Sequence, residues 1–82
     1  MELTIRVKMD GVLMTRDAAL IAQKMKEYSA RVLLRRSSIT VNAKSLMGLV
    51  SLGIRDGMDV TIIAEGVDDA HAVREMAALL GA

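Results

Sequence analysis

The stretch "ELTIRVKMDGVLMTRDAALIAQKM", residues 2–25, decides the fold because its apolar spacing changes part-way along. Its first part alternates apolar with polar residues, as a strand with one buried face does, and the apolar positions are Leu3, Ile5 and Val7. Its last part repeats apolar residues at i, i+3, i+4 and i+7, namely Ala18, Ile21, Ala22 and Met25. The stretch therefore predicts a strand, a loop and an amphipathic helix of about three turns.

The middle of the chain predicts a hairpin and a short helix. The runs "RVLLRR" and "SITVNA" are rich in β-branched and aliphatic residues and are separated around Ser37, which is typical of two antiparallel strands. Ser45 then precedes the apolar "LMGLVSL", which ends at Gly53. Serine is a favoured N-cap and glycine a favoured stop, so these two residues enclose a helix of about two turns.

The last third of the chain predicts one more strand and one more helix. The run "DGMDVTIIAEG" gives an Asp-Gly turn and then a strand, and Asp68 and Asp69 begin a final helix with favourable negative charge in its first turn. The order is β-α-β-β-α-β-α. Because each strand has one apolar and one polar face, we predict an α+β fold with a four-stranded antiparallel sheet and three helices on one face.

Composition limits the classes of function. The 82 residues predict a single domain over 1–82 without a deep active site for several substrates, so we expect no enzyme activity. Eleven basic and ten acidic residues give a formal net charge of +1, which attracts neither nucleic acid nor an anionic membrane strongly. With no cysteine and one histidine we expect no metal site, and nothing in the sequence indicates a cofactor.

The sequence contains no targeting or membrane signal. The start "MELTIRVKMD" alternates polar and apolar residues instead of joining a basic segment to an apolar run. No stretch approaches about 18 continuous apolar residues. We therefore expect a soluble, cytoplasmic protein.

Two motifs carry a resemblance to a known family. The segment "LMTRDAA" resembles the active-centre loop of HPr, the histidine phosphocarrier of the bacterial sugar phosphotransferase system, and "NAKSLMGLVSLGI" resembles the regulatory serine segment of that family. The run "GMDVTIIAEGVDD" resembles its last strand and turn, so the resemblance covers the whole chain. It implies an HPr-like open-faced β-sandwich with strand order 1-4-2-3.

The resemblance also assigns roles to residues. It places the phosphorylatable serine of the family at Ser45, the active-site arginine at Arg16 and the phosphate-accepting histidine at Met14. A thioether has no nucleophilic nitrogen and forms no stable phosphoryl adduct, so Met14 cannot carry phosphate. Asp17 stands where the family usually has proline and puts negative charge near the place of an incoming phosphoryl group. We therefore predict that no residue of this site is catalytic.

Ser45 and Arg16 each have two interpretations. A serine before an apolar run is most often only a helix cap, whereas the resemblance implies regulatory phosphorylation of Ser45. Arg16 either binds an anion or is an ordinary solvated arginine. His71 is the only histidine, and we predict a solvated residue on the last helix. Arg35 and Arg36 end a strand and are predicted to be edge charges rather than nucleic-acid contacts.

An aliphatic surface follows from helical spacing. Leu20 lies about 200° round the first helix from Ala18 and is exposed if Ala18 is buried. We predict a "docking patch" consisting of Met14, Leu20, Leu46 and Met47. We predict three basic residues at the rim of this patch that bind anions or partners, namely Arg16, Lys24 and Lys44. The alternative is that one or more members of the patch complete the core.

The resulting hypothesis is an HPr-family regulatory or scaffold protein, similar to the catabolite-repression branch that also lacks the histidine. The resemblance implies two kinds of partner: an HPr kinase/phosphorylase acting on Ser45, and a LacI-type transcription regulator or metabolic enzyme. One alternative is a phosphocarrier between enzyme I and sugar permease components. The other is an unmodified interaction domain in which Ser45 is only a cap.

Overall fold

The computed structural model describes residues 1–82 and places seven elements in the predicted order. They are β1 (Glu2–Arg6), α1 (Thr15–Met25), β2 (Arg31–Arg36), β3 (Ile39–Asn42), α2 (Leu46–Leu52), β4 (Asp59–Glu65) and α3 (Asp69–Leu79). The strands form one sheet in the order β1-β4-β2-β3, and every neighbouring pair is antiparallel. The predicted α+β open-faced β-sandwich and its strand order are confirmed.

The core lies between one face of the sheet and the three helices. Six inward side chains of the edge strand β1 and the central strands β4 and β2 are buried, and they are Ile5, Val32, Leu34, Val60, Ile62 and Ala64. They join the buried residues of all three helices in a single cluster of 21 apolar side chains. Since burial of apolar area is the main stabilising term, this cluster fixes the helices on one face of the sheet.

The register of β4 with its neighbours β1 and β2 aligns their apolar side chains on the same face of the sheet. Ile62 pairs with Leu3 on one side and with Leu34 on the other. The opposite face of the sheet is more polar, and there the hydroxyl groups of Thr4 and Thr61 lie 2.9 Å apart in a hydrogen bond. The predicted alternation of apolar and polar faces is thus realised in the centre of the sheet.

Leu3 departs from the predicted alternation. Its side chain is 41% exposed, although its spacing puts it on the same side as Ile5 and Val7. Because Ile5 on the same edge strand is buried, the place of β1 in the sheet does not by itself expose Leu3, and the cover over the inner face ends between these two residues. A period of two predicts the face of a residue and not how far the helices extend over it.

The prediction for Arg35 and Arg36 is wrong, because β2 lies between β4 and β3 and is not an edge strand. Arg36 donates a hydrogen bond from Nη1 to the carbonyl oxygen of Leu52 at 2.9 Å, at the end of α2. Arg35 lies 3.3 Å from the carboxylate of Glu2. Both guanidinium groups therefore connect elements of the domain.

Asp68 occupies the predicted position before α3 and has a different role. It is the N-cap residue of α3, but its side chain forms no capping hydrogen bond. Its two carboxylate oxygens instead accept the backbone N–H groups of Ser29 at 2.9 Å and Ala30 at 2.8 Å. These hydrogen bonds hold the pKa of Asp68 below its usual range. The N–H of Ser29 has the larger effect, and the N–H of Ala30 adds to it. Asp68 therefore joins the start of α3 to the segment that enters β2.

This contact predicts a pH dependence of stability. A carboxylate with a lowered pKa in the folded state stabilises the fold above its ordinary pKa of about 3.9, and the stabilisation is lost as pH falls through the lower folded pKa. We expect Asp68→Asn to lower the melting temperature at pH 7 and to flatten its decline between pH 5 and pH 2. Circular dichroism melting at each pH measures this. Asp10→Asn is the control, and parallel curves for Asp68→Asn and the unchanged protein would contradict the prediction.

The helices are short. The longest two, α1 and α3, each contain 11 residues, whereas an apolar helix needs about 20 to cross a bilayer. No helix of this structure has the length and hydropathy for a membrane span.

Candidate functional site

Met14 lies at the start of α1, where it is the N-cap residue. Its backbone is extended, with φ −85° and ψ 161°, and its carbonyl oxygen accepts the N–H of Ala18 at 2.9 Å. Its side chain is 65% exposed, and no side chain caps the helix. The first N–H groups of a helix have no partner inside it, so this helix start offers donors to an anion but no imidazole nitrogen beside them.

Backbone hydrogen bonds hold the loop that precedes α1. The N–H of Leu13 donates to the carbonyl of Ile54 at 2.8 Å, and the N–H of Asp56 donates to the carbonyl of Gly11 at 2.9 Å. The carboxylate of Asp56 also accepts the N–H of Met9 at 3.1 Å. The turn after α2 therefore fixes the position of Met14 relative to α2.

Arg16 and Asp17 follow Met14 in the first turn of α1. Both side chains are exposed, and neither forms a hydrogen bond or an ion pair within the chain. Arg16 is consequently available to an anion or a partner. Asp17 is the acidic residue of the first turn, where negative charge suits the helix dipole.

Ser45 lies at the start of α2, and its predicted capping role is confirmed. Its side-chain oxygen accepts the N–H of Gly48 at 3.1 Å, and its carbonyl accepts the N–H of Leu49 at 3.0 Å. The helix ends at Gly53, whose φ of 65° is left-handed as the glycine stop requires. The Ser45 hydroxyl is half-buried against the first turn of α2.

Three of the four predicted members of the docking patch are exposed. The exposed fractions are 65% for Met14, 51% for Leu20 and 74% for Met47. Leu46 is half-buried and packs against the core, so the alternative interpretation holds for this residue. The reason is its spacing, because Leu46 precedes the buried Leu49 by three residues and shares its side of the helix. The exposed members of the predicted patch are therefore Met14, Leu20 and Met47, which lie on or next to two helices that pack against each other.

The predicted cations around the patch differ in availability. Arg16 is exposed, whereas Lys24 is half-buried on α1. Lys44 was predicted to bind a partner, but its ammonium group donates to the carbonyl oxygen of Tyr28 at 2.8 Å. It also helps to lower the pKa of Asp68, although less than the backbone N–H groups do. The Lys44 ammonium thus joins the segment before α2 to the segment after α1.

The sequence interpretation missed several exposed aliphatic residues, and two of them lie in α2 and in the loop before α1. Val50 is 40% exposed and follows Met47 by three residues on α2, a spacing that could have revealed it. Val12 is 48% exposed and lies in the loop before α1, where no periodicity applies. His71 is exposed on α3, as predicted for a solvated residue.

The chain matches the family described as "PTS HPr component phosphorylation site" over residues 1–82. It belongs to the HPr family. Proteins of this family are components of the phosphotransferase system that act as carriers or regulators rather than as classical enzymes, and they interact with other components of that system. The resemblance found in the sequence is thereby confirmed.

Individual relatives of this HPr-family chain cover nearly all of it. It is 39% identical to HPr-like protein Crh of Bacillus subtilis, over 90% of this chain and 87% of Crh. It is 35% identical to HPr-like protein Crh of Halalkalibacterium halodurans, over 96% of this chain and 94% of the relative. The crystal structure of phosphocarrier protein HPr from Bacillus anthracis is similar with a TM-score of 0.92 and 35% identity, over 98% and 95% of the two chains.

Proposed function

We propose that this chain is a regulatory member of the HPr family that is phosphorylated on Ser45 and binds partners through the docking patch, without histidyl phosphotransfer. The observation that carries the proposal is the exposed thioether of Met14 at the start of α1. By the family resemblance, Met14 stands at the position of the phosphate-accepting histidine. The similarity to two Crh proteins, which are named HPr-like, supports the same conclusion.

The chemistry of a phosphocarrier requires a group that Met14 lacks. The carrier nitrogen must attack a phosphoryl group, hold it as a labile phosphoramidate and release it. A thioether has no proton to lose and is a weak acceptor. Arg16 and the N–H groups of the α1 start would still bind a phosphoryl group electrostatically, but they cannot form a bond to it. The only imidazole, that of His71, lies on α3.

Ser45 has a suitable position for regulation. A phosphate on its oxygen would stay beside the N–H groups of the first turn of α2, where the helix dipole stabilises negative charge. The neighbouring Met47 is the most exposed member of the docking patch. A modification of Ser45 therefore changes the charge at the edge of the surface that partners contact.

The partners follow from the family resemblance and the surface. We propose an HPr kinase/phosphorylase as the enzyme that modifies Ser45, and a LacI-type transcription regulator or metabolic enzyme as the protein that binds the patch. Residues 1–82 act as one domain in this proposal, and the compartment is the cytoplasm. An aliphatic patch with Arg16 at its rim suits a protein partner.

The test of the proposal is phosphorylation by an HPr kinase/phosphorylase with ATP, followed by mass spectrometry. We expect one phosphate, located on Ser45, and none in Ser45→Ala. Ser51→Ala is the matched control, since Ser51 is an exposed hydroxyl on the same helix. Phosphate on another residue, or none with any cognate kinase, would contradict the proposal and favour the unmodified interaction domain.

The second candidate is a phosphocarrier between enzyme I and permease components. The close structural similarity to the phosphocarrier of Bacillus anthracis favours it. The absence of a nucleophile at Met14 argues against it. Labelling by enzyme I and phosphoenolpyruvate distinguishes the two candidates, because only a carrier would gain acid-labile phosphate.

A further inference from the structure

A groove of about 250 Å³ lies beside α1 and outside the Ser45 region. Three segments form it: the loop before α1, the exposed flank of α1 and the end of α3. Six of its eight lining residues are apolar, and they are Met9, Val12, Leu13, Leu20, Ile21 and Leu79. The other two are Asp10 and Asp17. Only Leu20 also belongs to the docking patch.

The size of the groove indicates the kind of occupant. Pockets for whole small-molecule ligands measure about 300–1,000 Å³ and enclose most of the ligand. This groove is smaller, so it accommodates one or two side chains of a larger molecule. Val12 and Leu20 in this groove are about half exposed, at 48% and 51%. A side chain that enters the groove would remove their apolar surface from water, which favours binding.

The charge of the groove indicates the chemistry next to that side chain. Asp10 and Asp17 are exposed, and neither carboxylate accepts a hydrogen bond or forms an ion pair within the chain. None of the eight lining residues is basic. Two carboxylates without a cation repel phosphorylated metabolites and nucleic acid, and they attract an ammonium or guanidinium group.

We propose that this groove binds a segment of a partner protein in which an aliphatic side chain is adjacent to a lysine or arginine. The aliphatic side chain packs against Val12, Leu20 and Leu79, while the cation lies between the carboxylates of Asp10 and Asp17. The proposal does not require phosphate on Ser45. It gives α1 two contact surfaces with opposite preferences, because Arg16 serves the docking patch and Asp17 serves the groove.

The test uses two small probes with the unphosphorylated full chain. The peptides acetyl-Leu-Arg-amide and acetyl-Leu-Glu-amide are titrated into ¹⁵N-labelled protein, and amide chemical shifts are followed. We expect saturable shifts in residues 9–13, 17–21 and 79 with the arginine peptide, and a dissociation constant at least about fivefold higher for the glutamate peptide. Raising the salt concentration should weaken binding of the arginine peptide.

Matched variants separate local from overall charge. Asp10→Asn/Asp17→Asn should weaken binding of the arginine peptide about fivefold, whereas Glu27→Gln/Glu65→Gln changes net charge equally and should leave it unaltered. Melting curves confirm that each variant is folded. No saturable shifts, equal affinity for both peptides, or equal effects of the two double variants would overturn the proposal.

A second copy of the chain is the competing occupant. Shifts of the groove residues on dilution of the protein alone would identify it and overturn the proposal of a basic partner. Phosphorylation of Ser45 is measured independently, so either proposal can fail while the other stands.

Discussion

Incubation with enzyme I and phosphoenolpyruvate will leave this protein without acid-labile phosphate. The reason is the thioether of Met14, which stands exposed at the start of α1 and has no nitrogen to accept a phosphoryl group. The measurement is the mass of the intact protein before and after acid treatment. A histidine-containing HPr in the same reaction is the positive control. Stoichiometric labelling, at His71 or elsewhere, would contradict the expectation.

Restoring the histidine tests how much of the site remains. We expect Met14→His to restore little transfer and Met14→His/Asp17→Pro to restore about tenfold more, because a carboxylate near the phosphoryl group costs on the order of 1–4 kcal/mol. Proline is tolerated at position 17, since it lies in the first turn, where an N–H has no partner within the helix. Initial rates of labelling measure the difference. Equal rates in the two variants would show that the Asp17 carboxylate does not obstruct transfer.

The second large effect is expected from phosphate on Ser45. The fold should persist, because the Ser45 oxygen already lies 3.1 Å from the N–H of Gly48 and the phosphate can bind the same helix start. We expect the melting temperature to change by less than about 5 °C. Circular dichroism and thermal melting of the modified and unmodified protein measure this.

Partner binding should change much more than stability. The phosphate adds roughly two negative charges beside Met47, which is 74% exposed. Partners that present arginine should bind at least about tenfold more tightly, since arginine and phosphate form strong bidentate hydrogen bonds. Acidic partners should bind more weakly, because the phosphate repels their charge. Calorimetric titration with candidate regulators measures the change in affinity, and Ser45→Ala after kinase treatment is the control. Identical affinities with and without phosphate would leave Ser45 as a helix cap.

Local spacing predicted the elements and their order well. Ser45 and Gly53 enclose α2 as expected, because capping depends on residues that are adjacent in sequence. The predicted exposure of Leu46 was wrong, because this side chain packs against the core. Its spacing of three residues to the buried Leu49 already indicated that side of the helix. Exposure of Leu3 depended on how far the other elements extend over the inner face of the sheet, which periodicity alone does not give.

Contacts between distant segments were beyond the reach of sequence patterns. The carboxylate of Asp68 binds the backbone N–H groups of Ser29 and Ala30, which lie 39 and 38 residues earlier in the sequence. The ammonium of Lys44 binds the backbone carbonyl of Tyr28, a contact that no local pattern indicates. The groove beside α1 combines residues from three segments, and only tertiary packing brings Asp10 and Leu79 to the same place.

The uncapped start of α1 has a consequence for engineering this domain. A serine, threonine, aspartate or asparagine at position 14 would give the helix an N-cap, which typically adds about 1 kcal/mol of stability. Met14 leaves that gain unrealised, and it is also one of the most exposed apolar side chains of the molecule. A thermostable variant made by capping α1 would therefore lose part of the proposed docking patch. Under the proposed function, stability and recognition compete at this one residue.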